Sequence, residues 1–423
     1  MAEHLKTALI TLLSLTLVGL LFAFFAVSAV SEALSAEDII FEFFRHDQKT
    51  QTTHKNVEET AISTPCQIAL FKGNGKLYSP TSSEDFYNIY KLTSRITDEA
   101  LGSARAMTEM SNGDYLPLFI NMGVLYKYDF ALPVALIFPE MADRFLRLDF
   151  SVKTLLISLE GRNVLLVLTD ENGKHYSFST MSDPTYLQGI CSEYEENGII
   201  SAITSISDIA HDSILINEAF SMPVYTTANY GEAPEGVMST LGMNPYLTSV
   251  YRDGENTIYM EDIHRVIMQS NGHLSYSATE KDDGIPLNID IKAEEKEQYY
   301  ALCLGSSAIV SALWQELSDD NVSLCYSFSK QTEDGYIFYY EAYIGGCYVY
   351  AKDHSAAAVA VSNGKITDIS LHPLRLNKGE DVQLIPYKQA AATAGKGEYI
   401  AIQYELTEGV LTPVTVCVKE ESR

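Results

Sequence analysis

Residues Ala8–Val30 form 23 consecutive positions without a charge, and no other stretch constrains the chain as strongly. Leu, Ile, Val and Phe fill most of it. As an α-helix it is about 35 Å long at about 1.5 Å per residue, enough to cross a hydrocarbon core of about 30 Å. Thr11, Ser14, Thr16 and Ser28 do not interrupt it, because helical hydroxyls bond to backbone carbonyls of the same segment. A cleaved signal peptide has a shorter apolar core, about 7–15 residues, before a small-residue cleavage site. Val27-Ser28-Ala29 and Leu34-Ser35-Ala36 have that character, but the longer run favours a retained anchor. Lys6 precedes the run; Glu32, Glu37 and Asp38 follow it. The positive-inside rule then puts residues 1–7 in the cytoplasm and the bulk of the chain outside. Gly19 and Ala23, four apart, make a small-xxx-small face on which a second membrane helix can pack closely.

Glu3 and Lys6 are the only charged residues among the first thirty and they cancel, so the whole net charge of −27 lies beyond the apolar run. That balance argues against nucleic acid, whose phosphates need a basic patch, and against lying on an anionic lipid surface. It fits a solvated exterior or a basic partner. With 423 residues, 27 Tyr and 17 Phe, the chain has room and apolar mass for two or three domains beyond the anchor. The six cysteines are Cys66, Cys191, Cys303, Cys325, Cys347 and Cys417. They show no C-x₂-C spacing and are too sparse for a disulfide scaffold. Cys325 and Cys347 fall within one expected sheet and could pair; buried thiols are the other reading.

The polar, Thr-rich residues 31–64 read as a linker. Residues 65–150 read as an amino-terminal α+β domain. It holds a strand at Gln67–Phe71, a helix over Ser83–Ala106, and strands at Gly123–Phe130 and Val134–Phe138. Residues 151–278 read as a strand-rich middle domain. Hairpins turn at Asn172-Gly173, Asp253-Gly254 and Asn271-Gly272, and helices cover Pro184–Glu196 and Glu235–Leu241. Residues 279–423 read as a carboxy-terminal domain in which a helix is followed by a curled antiparallel sheet, twice. The first helix is Glu294–Leu317. Val322–Lys330 then alternates strictly, with Val322, Leu324, Tyr326 and Phe328 facing one way. A second helix near Val382–Ala394 precedes strands at Tyr399–Leu406 and Val410–Val418. The expected fold class is therefore α+β: one transmembrane helix, then an elongated multidomain ectodomain.

A search for reactive groups finds little. There is no His-Glu-x-x-His and no Gly-x-Ser-x-Gly. Gly73-Asn74-Gly75 lacks the Lys-Ser/Thr of a phosphate cradle, and Asp170-Glu171-Asn172-Gly173 lacks the remaining ligands of a calcium loop. His211-Asp212-Ser213 holds three triad residue types, yet sequence neighbours cannot adopt triad geometry. The acidic pairs Asp282-Asp283, Glu294-Glu295 and Asp319-Asp320 lie at helix starts or in loops, where carboxylates cap. The expectation is a protein without catalytic residues, cofactor or metal.

Tyr251-Arg252-Asp253-Gly254 through Arg265-Val266, with Asn271-Gly272-His273-Leu274-Ser275-Tyr276, resembles the middle region of YycH proteins. Tyr343–Tyr350, followed by Ala357–Val361 and Ser362-Asn363-Gly364-Lys365-Ile366, is similar to the segment of the YycH/YycI family in which glycine, a small residue and an aromatic precede a sheet hairpin. Gly346-Cys347-Tyr348 departs from the Gly-Leu-Pro expected there. The motifs span about 60 residues; the layout of anchor, acidic exterior and carboxy-terminal sheet spans the chain. Length favours YycH, because YycI resembles the carboxy-terminal unit alone. The resemblance implies a membrane-anchored, extracytoplasmic regulator of a cell-envelope two-component system. Its partners are then a sensor histidine kinase and a YycI-like companion, and there are no catalytic residues. Gly345 and Gly346 become a candidate ectodomain interaction loop. Two alternatives come from other classes: an exported cell-wall binding or modifying protein, and a PepSY-like inhibitory binding module.

Overall fold

Alternation along the first strand, β1 (Gln67–Gly73), sets up a three-layer arrangement. Ile68 and Leu70 pack with helix α1 (Ser83–Ser103) through Phe86, Ile89 and Ile96. Ala69 and Phe71 face the other way, against Tyr115, Leu118 and Phe119. Those three come from the short helix α2 (Asn112–Tyr115) and the 3₁₀ turn Leu116–Ile120 that follows it. The computed structural model describes residues 64–73, 76–80, 83–137, 151–196, 199–201, 214–216, 221–280, 283–287, 295–395 and 398–419. All belong to the unit Val57–Arg423. Among them, no helix is long and apolar enough to cross a membrane. The apolar run Ala8–Val30, with Gly19 and Ala23, lies outside the described residues, as do His211-Asp212-Ser213 and residues 31–63 of the linker.

The first sheet continues with β2 (Lys76–Tyr78), β3 (Arg105–Met110), β4 (Met122–Pro133), β5 (Ser151–Glu160), β6 (Asn163–Asp170) and β7 (His175–Ser179). Its order is β2-β1-β4-β5-β6-β7-β3. The expected helix over Ser83–Ala106 stops at Ser103, and Arg105–Met110 pairs with β7 as an edge strand. That strand is exposed, and its apolar residues Ala106, Met107 and Met110 do not alternate, so it has no apolar period to betray it. Val134–Ile137 is helix α3, not the expected strand; a four-residue apolar run has no period that separates the two. The sheet also runs straight across residue 150. Leu132 and Pro133 of β4 pair with Val152 and Ser151 of β5, so residues 65–150 and the start of the middle region build one layer. Helix α4 (Pro184–Glu193) closes it, started by the Asp183 carboxylate accepting from Thr185 N.

A hairpin of β8 (Ile199–Ser201) and β9 (Ile214–Ile216) leads to the second sheet. Its strands are β10 (Ser221–Thr227), β11 (Ser249–Asp253), β12 (Asn256–Glu261), β13 (His264–Met268), β14 (Leu274–Ala278) and β15 (Ile285–Pro286). They continue with β16 (Val322–Gln331), β17 (Gly335–Ile344), β18 (Cys347–Ala351), β19 (Ala357–Ser362), β20 (Lys365–Leu371), β21 (Leu376–Gln383), β22 (Glu398–Thr407) and β23 (Val410–Lys419). The path is β11-β12-β13-β14-β20-β19-β17-β18-β22-β23-β10-β21, with β15 on β20 and β16 on β17. β14 pairs with β20, so the middle and carboxy-terminal regions share one sheet across residue 278. The two expected helix-plus-sheet units also merge, because β18 pairs in parallel with β22. Helix α5 (Glu235–Thr240) and the long helix α6 (Glu295–Leu317) cover one face. Ser307 Oγ of α6 lies 2.9 Å from the Tyr340 hydroxyl of β17.

Two details differ from the alternation rule. The β16 register slips between Tyr326 and Phe328, and that bulge turns Phe328 outward onto Tyr339, ring centroids 4.5 Å apart. Cys325 and Ser327, expected on the solvent face, are buried. The expected helix at Val382–Ala394 is shorter, α7 (Tyr387–Thr393), because Leu376–Gln383 is the polar edge strand β21.

Candidate protein-docking surface

The path of the second sheet ends in two unlike strands, with β16 off that path and paired only with β17 among the described residues. β21 reads Leu376-Asn377-Lys378-Gly379-Glu380-Asp381-Val382-Gln383, and its charges and register slip blunt it against pairing with another chain. β11 is different. All five of its residues are exposed, and Val250 and Tyr251 are apolar. Among the described residues β11 pairs only with β12. Met260 of β12, also exposed, lies on the Tyr251 face, where the Tyr251 hydroxyl meets its sulfur. Val250 lies opposite Tyr259 on the other face.

The turn before β11 enlarges this apolar surface. Tyr246 is 94% exposed and Leu247 70%. A loose loop would leave such side chains free to fold back. Here the turn is tied down. Asn244 O accepts from Leu247 N at 2.9 Å, from Thr248 N at 3.0 Å and from Thr248 Oγ1 at 2.8 Å. Asn244 Oδ1 accepts from Tyr246 N at 3.0 Å, an Asx turn. One Glu261 carboxylate oxygen, Oε2, accepts from Asn244 N at 2.6 Å and from Thr248 Oγ1 at 2.9 Å, which fastens the turn to β12. Tyr246, Leu247, Val250, Tyr251 and Met260 therefore stand on a pre-organised scaffold beside an open strand edge. A partner binding there immobilises few new torsions.

The surface around it is acidic on balance. Residues 231–262 carry six carboxylates (Glu232, Glu235, Asp253, Glu255, Glu261, Asp262) and Arg252, and an exposed second cation, Arg265 of β13, pairs across from Met260. Arg252 is already engaged with Glu232 at 2.8 Å. Sequence reasoning singled out Tyr251–Gly254 as a hairpin turn and as part of the family resemblance, and passed over Tyr246 and Leu247. The signal was present: Asn244-Pro245 marks a turn, and two large apolar residues in a turn have no core to enter.

Gly345 and Gly346, expected as an interaction loop, form the β17–β18 turn with φ of +56° and +79°. Both are buried. The chain itself occupies the turn: Gln67 Nε2 donates to Gly346 O at 3.2 Å. A Cβ on Gly346 would lie 3.2 Å from Cys66 O. The accessible loop of the sequence reading is thus an internal seam, because β1 begins against it. Cys325 and Cys347 also separate. Cys325 clusters with Cys66 and Tyr343, whereas the Cys347 thiol bears on Tyr225 and Tyr404 and is pushed up to about 12 by burial. Asp319 is structural, its carboxylate accepting from Leu376 N at 2.6 Å.

Three imidazoles from different elements form a stack. His372 follows β20, His273 precedes β14, and His354 lies between β18 and β19. The His372 ring lies 4.2 Å from that of His273, tilted 5°, and 3.7 Å from that of His354, tilted 12°. His273 Nε2 lies 3.0 Å from Ser370 Oγ. Burial, with His354 and His273 adding, pushes His372 down to about 3; burial and then His354 lower His273. Nearly parallel rings do not converge their lone pairs on one ion. Among the described residues no group of three or more His, Cys, Asp or Glu is placed to hold a metal. The stack makes stability depend on pH. Below about pH 6.5 unfolded His372 and His273 take up protons that the folded ones refuse, so stability present at neutral pH is lost as pH falls from 6.5 toward 3. Urea unfolding is expected to show wild type losing about 1–2 kcal/mol more than His372→Gln between pH 7.5 and 5, after allowance for solvent screening. Parallel pH profiles for the two proteins refute this role.

By sequence, neither a family model nor a curated protein matches the chain. By fold it is similar to the crystal structure of YycH from Bacillus subtilis, with a TM-score of 0.54 and 12% identity, over 88% of this chain and 97% of that one. The chain has a YycH-like fold.

Proposed function

We propose that this YycH-like chain is a non-catalytic, membrane-anchored regulator of a cell-envelope sensor histidine kinase, with its folded part outside the cytoplasm. The fold likeness is the observation that carries the reading. It extends over 88% of the chain and so takes in both sheets, not one common motif. The apolar run Ala8–Val30 supports the anchor, and the cation-before, anion-after pattern around it supports the orientation. Gly19 and Ala23 are the residues on which the kinase's own membrane helix packs. The exterior adds a second contact. An extended, basic segment of the kinase or of a YycI-like companion adds to the β11 edge, its side chains meeting Tyr246, Leu247 and Tyr251 and the carboxylates around them.

Cross-linking in intact membranes tests this, with captured proteins identified by mass spectrometry. The full chain is compared with a chain ending at Thr64 and with Gly19→Asn. The expected result is a histidine kinase captured by the full chain, less by Gly19→Asn, and in part by the short chain. Capture unchanged by Gly19→Asn removes the helix-packing role. Capture of no kinase by either length overturns the whole reading and moves the cell-wall alternative forward.

A further inference from the structure

Helices α5 and α6 cover one face of the second sheet, and the other face carries two rows of side chains across β20, β19, β17 and β16. Strand pairing aligns Ser370, Ala358, Tyr339 and Phe328 in the first row. It aligns Asp368, Ala360, Ile337 and Lys330 in the second. Between these positions along the chain, Ile369, Val359 and Phe338 are buried in the core, and Ser329 meets Tyr299 of α6. Side chains alternate along a strand, so both rows project away from α6. Phe328, Lys330 and Asp368 are exposed and the other five are half-buried. The rings of Phe328 and Tyr339 lie 16° from parallel and form a ridge, with the small residues Ser370, Ala358 and Ala360 beside it. Among the described residues neither Lys330 nor Asp368 forms an ion pair. Large apolar side chains grouped on an open face mark an interaction surface.

We propose that two copies of this chain dimerise through this face, about a twofold axis that runs along the strands between β17 and β19. Two sheets stack face to face about 10 Å apart with their strands roughly aligned. Rotation about such an axis keeps each row at its own height and exchanges β17 with β19 and β16 with β20. Lys330 of each copy then meets Asp368 of the other. Phe328 lies over Ser370, Tyr339 over Ala358 and Ile337 over Ala360, so every large side chain meets a small one. Charge selects this register. Moving the axis one strand, to between β19 and β20, sets Lys330 against Arg265, the exposed cation that shares its row through Ser277 and Asp368. Toward Cys325 the face is closed by Thr64, whose carbonyl accepts from that thiol at 3.6 Å. The contact is therefore four strands wide, about 19 Å at about 4.8 Å per strand. A patch of that width buries less than the about 800 Å² per copy of a stable complex, so the dimer is weak and concentration-dependent. It leaves β11 open in both copies and stands or falls independently of the kinase reading.

The test is sedimentation equilibrium of the full chain in detergent, from about 1 to about 200 µM, with far-UV circular dichroism to confirm that each variant folds. The expected result is a monomer–dimer equilibrium with a dissociation constant of about 10–100 µM. Lys330→Glu and Asp368→Lys are each expected to raise that constant about 10-fold or more, because like charges then face each other twice. An equimolar mixture of the two variants is expected to dimerise as wild type does, since both contacts of the mixed pair again join a cation to an anion. Arg265→Glu is expected to change nothing. A monomer at every concentration overturns the proposal. A dimer that neither Lys330→Glu nor Asp368→Lys weakens overturns it too and moves the contact elsewhere, the Gly19–Ala23 face of the apolar run first. Folded single variants that both weaken without recovery in the mixture overturn the reciprocal pairing, and weakening by Arg265→Glu overturns the register.

Discussion

Trp314→Ala is expected to lower the free energy of unfolding by about 3–5 kcal/mol, one of the largest losses available to a single substitution in this chain. Trp314 is the only tryptophan. It sits on α6, is buried, and donates its indole N–H to Val322 O, the first residue of β16, at 2.8 Å. Two effects combine. Truncation opens a cavity between α6 and the second sheet, which close-packed neighbours fill only in part. It also removes the donor that holds the turn between α6 and β16. Trp314→Phe keeps most of the volume and loses the N–H, so it is expected to cost less than half as much. Urea unfolding followed by far-UV circular dichroism measures both, since the alanine variant has no tryptophan to report. A Trp314→Ala protein within 1 kcal/mol of wild type would show that α6 does not brace the sheet as argued.

Tyr246→Ala combined with Leu247→Ala is expected to weaken binding of the captured kinase by about 10–100-fold, that is about 1.4–2.8 kcal/mol, mostly through faster dissociation. The melting temperature should stay within about a degree of wild type, because side chains this exposed contribute little to the core. Tyrosines at the centre of a docking patch carry a large share of binding energy, and this one is already held in position. Glu261→Gln separates position from contact. It leaves Tyr246 and Leu247 in place and weakens the charge-assisted bonds to Asn244 and Thr248 that hold their turn. A smaller loss, about 3–10-fold, is expected from it. Full-length chain in nanodiscs, titrated with purified kinase, gives the dissociation constants. Unchanged affinity in the double variant rules the β11 edge out as the kinase contact.

Much of the fold was legible because its periods are local. The hairpins at Asn172-Gly173, Asp253-Gly254, Asn271-Gly272 and Asn363-Gly364 are turns that the residues themselves dictate, and their flanking strands follow. The α6 helix was legible from the face Leu302, Ile309, Leu313 and Leu317, of which Ile309 is only partly buried. The errors share another cause. Arg105–Met110 and Leu376–Gln383 are exposed strands without apolar alternation, whose existence depends on a neighbour already in place, β7 for one and β10 for the other. Val134–Ile137 is helical because Pro133 ends β4 and the short helix packs on α6 with Val134, Leu136 and Ile137 buried. The domain boundaries at 150 and 278 failed for the same reason. Both fall where antiparallel pairing joins segments that no composition change connects.

The docking surface and the open face of the second sheet divide along the same line. The sequence alone determined the uncharged run at Ala8–Val30, the acidity of everything after it and the absence of familiar catalytic motifs, since each depends on residues close together in the chain. Only the tertiary structure decided that β11 is an open edge while β21 is a blunted one, and that Gly345-Gly346 is sealed by Cys66 and Gln67. Only it set Cys325 beside Cys66 and away from Cys347, and three distant histidines in one stack. Those outcomes depend on which strands meet across hundreds of residues. Pairing of that kind is settled by the burial of whole faces, which no local window of sequence contains.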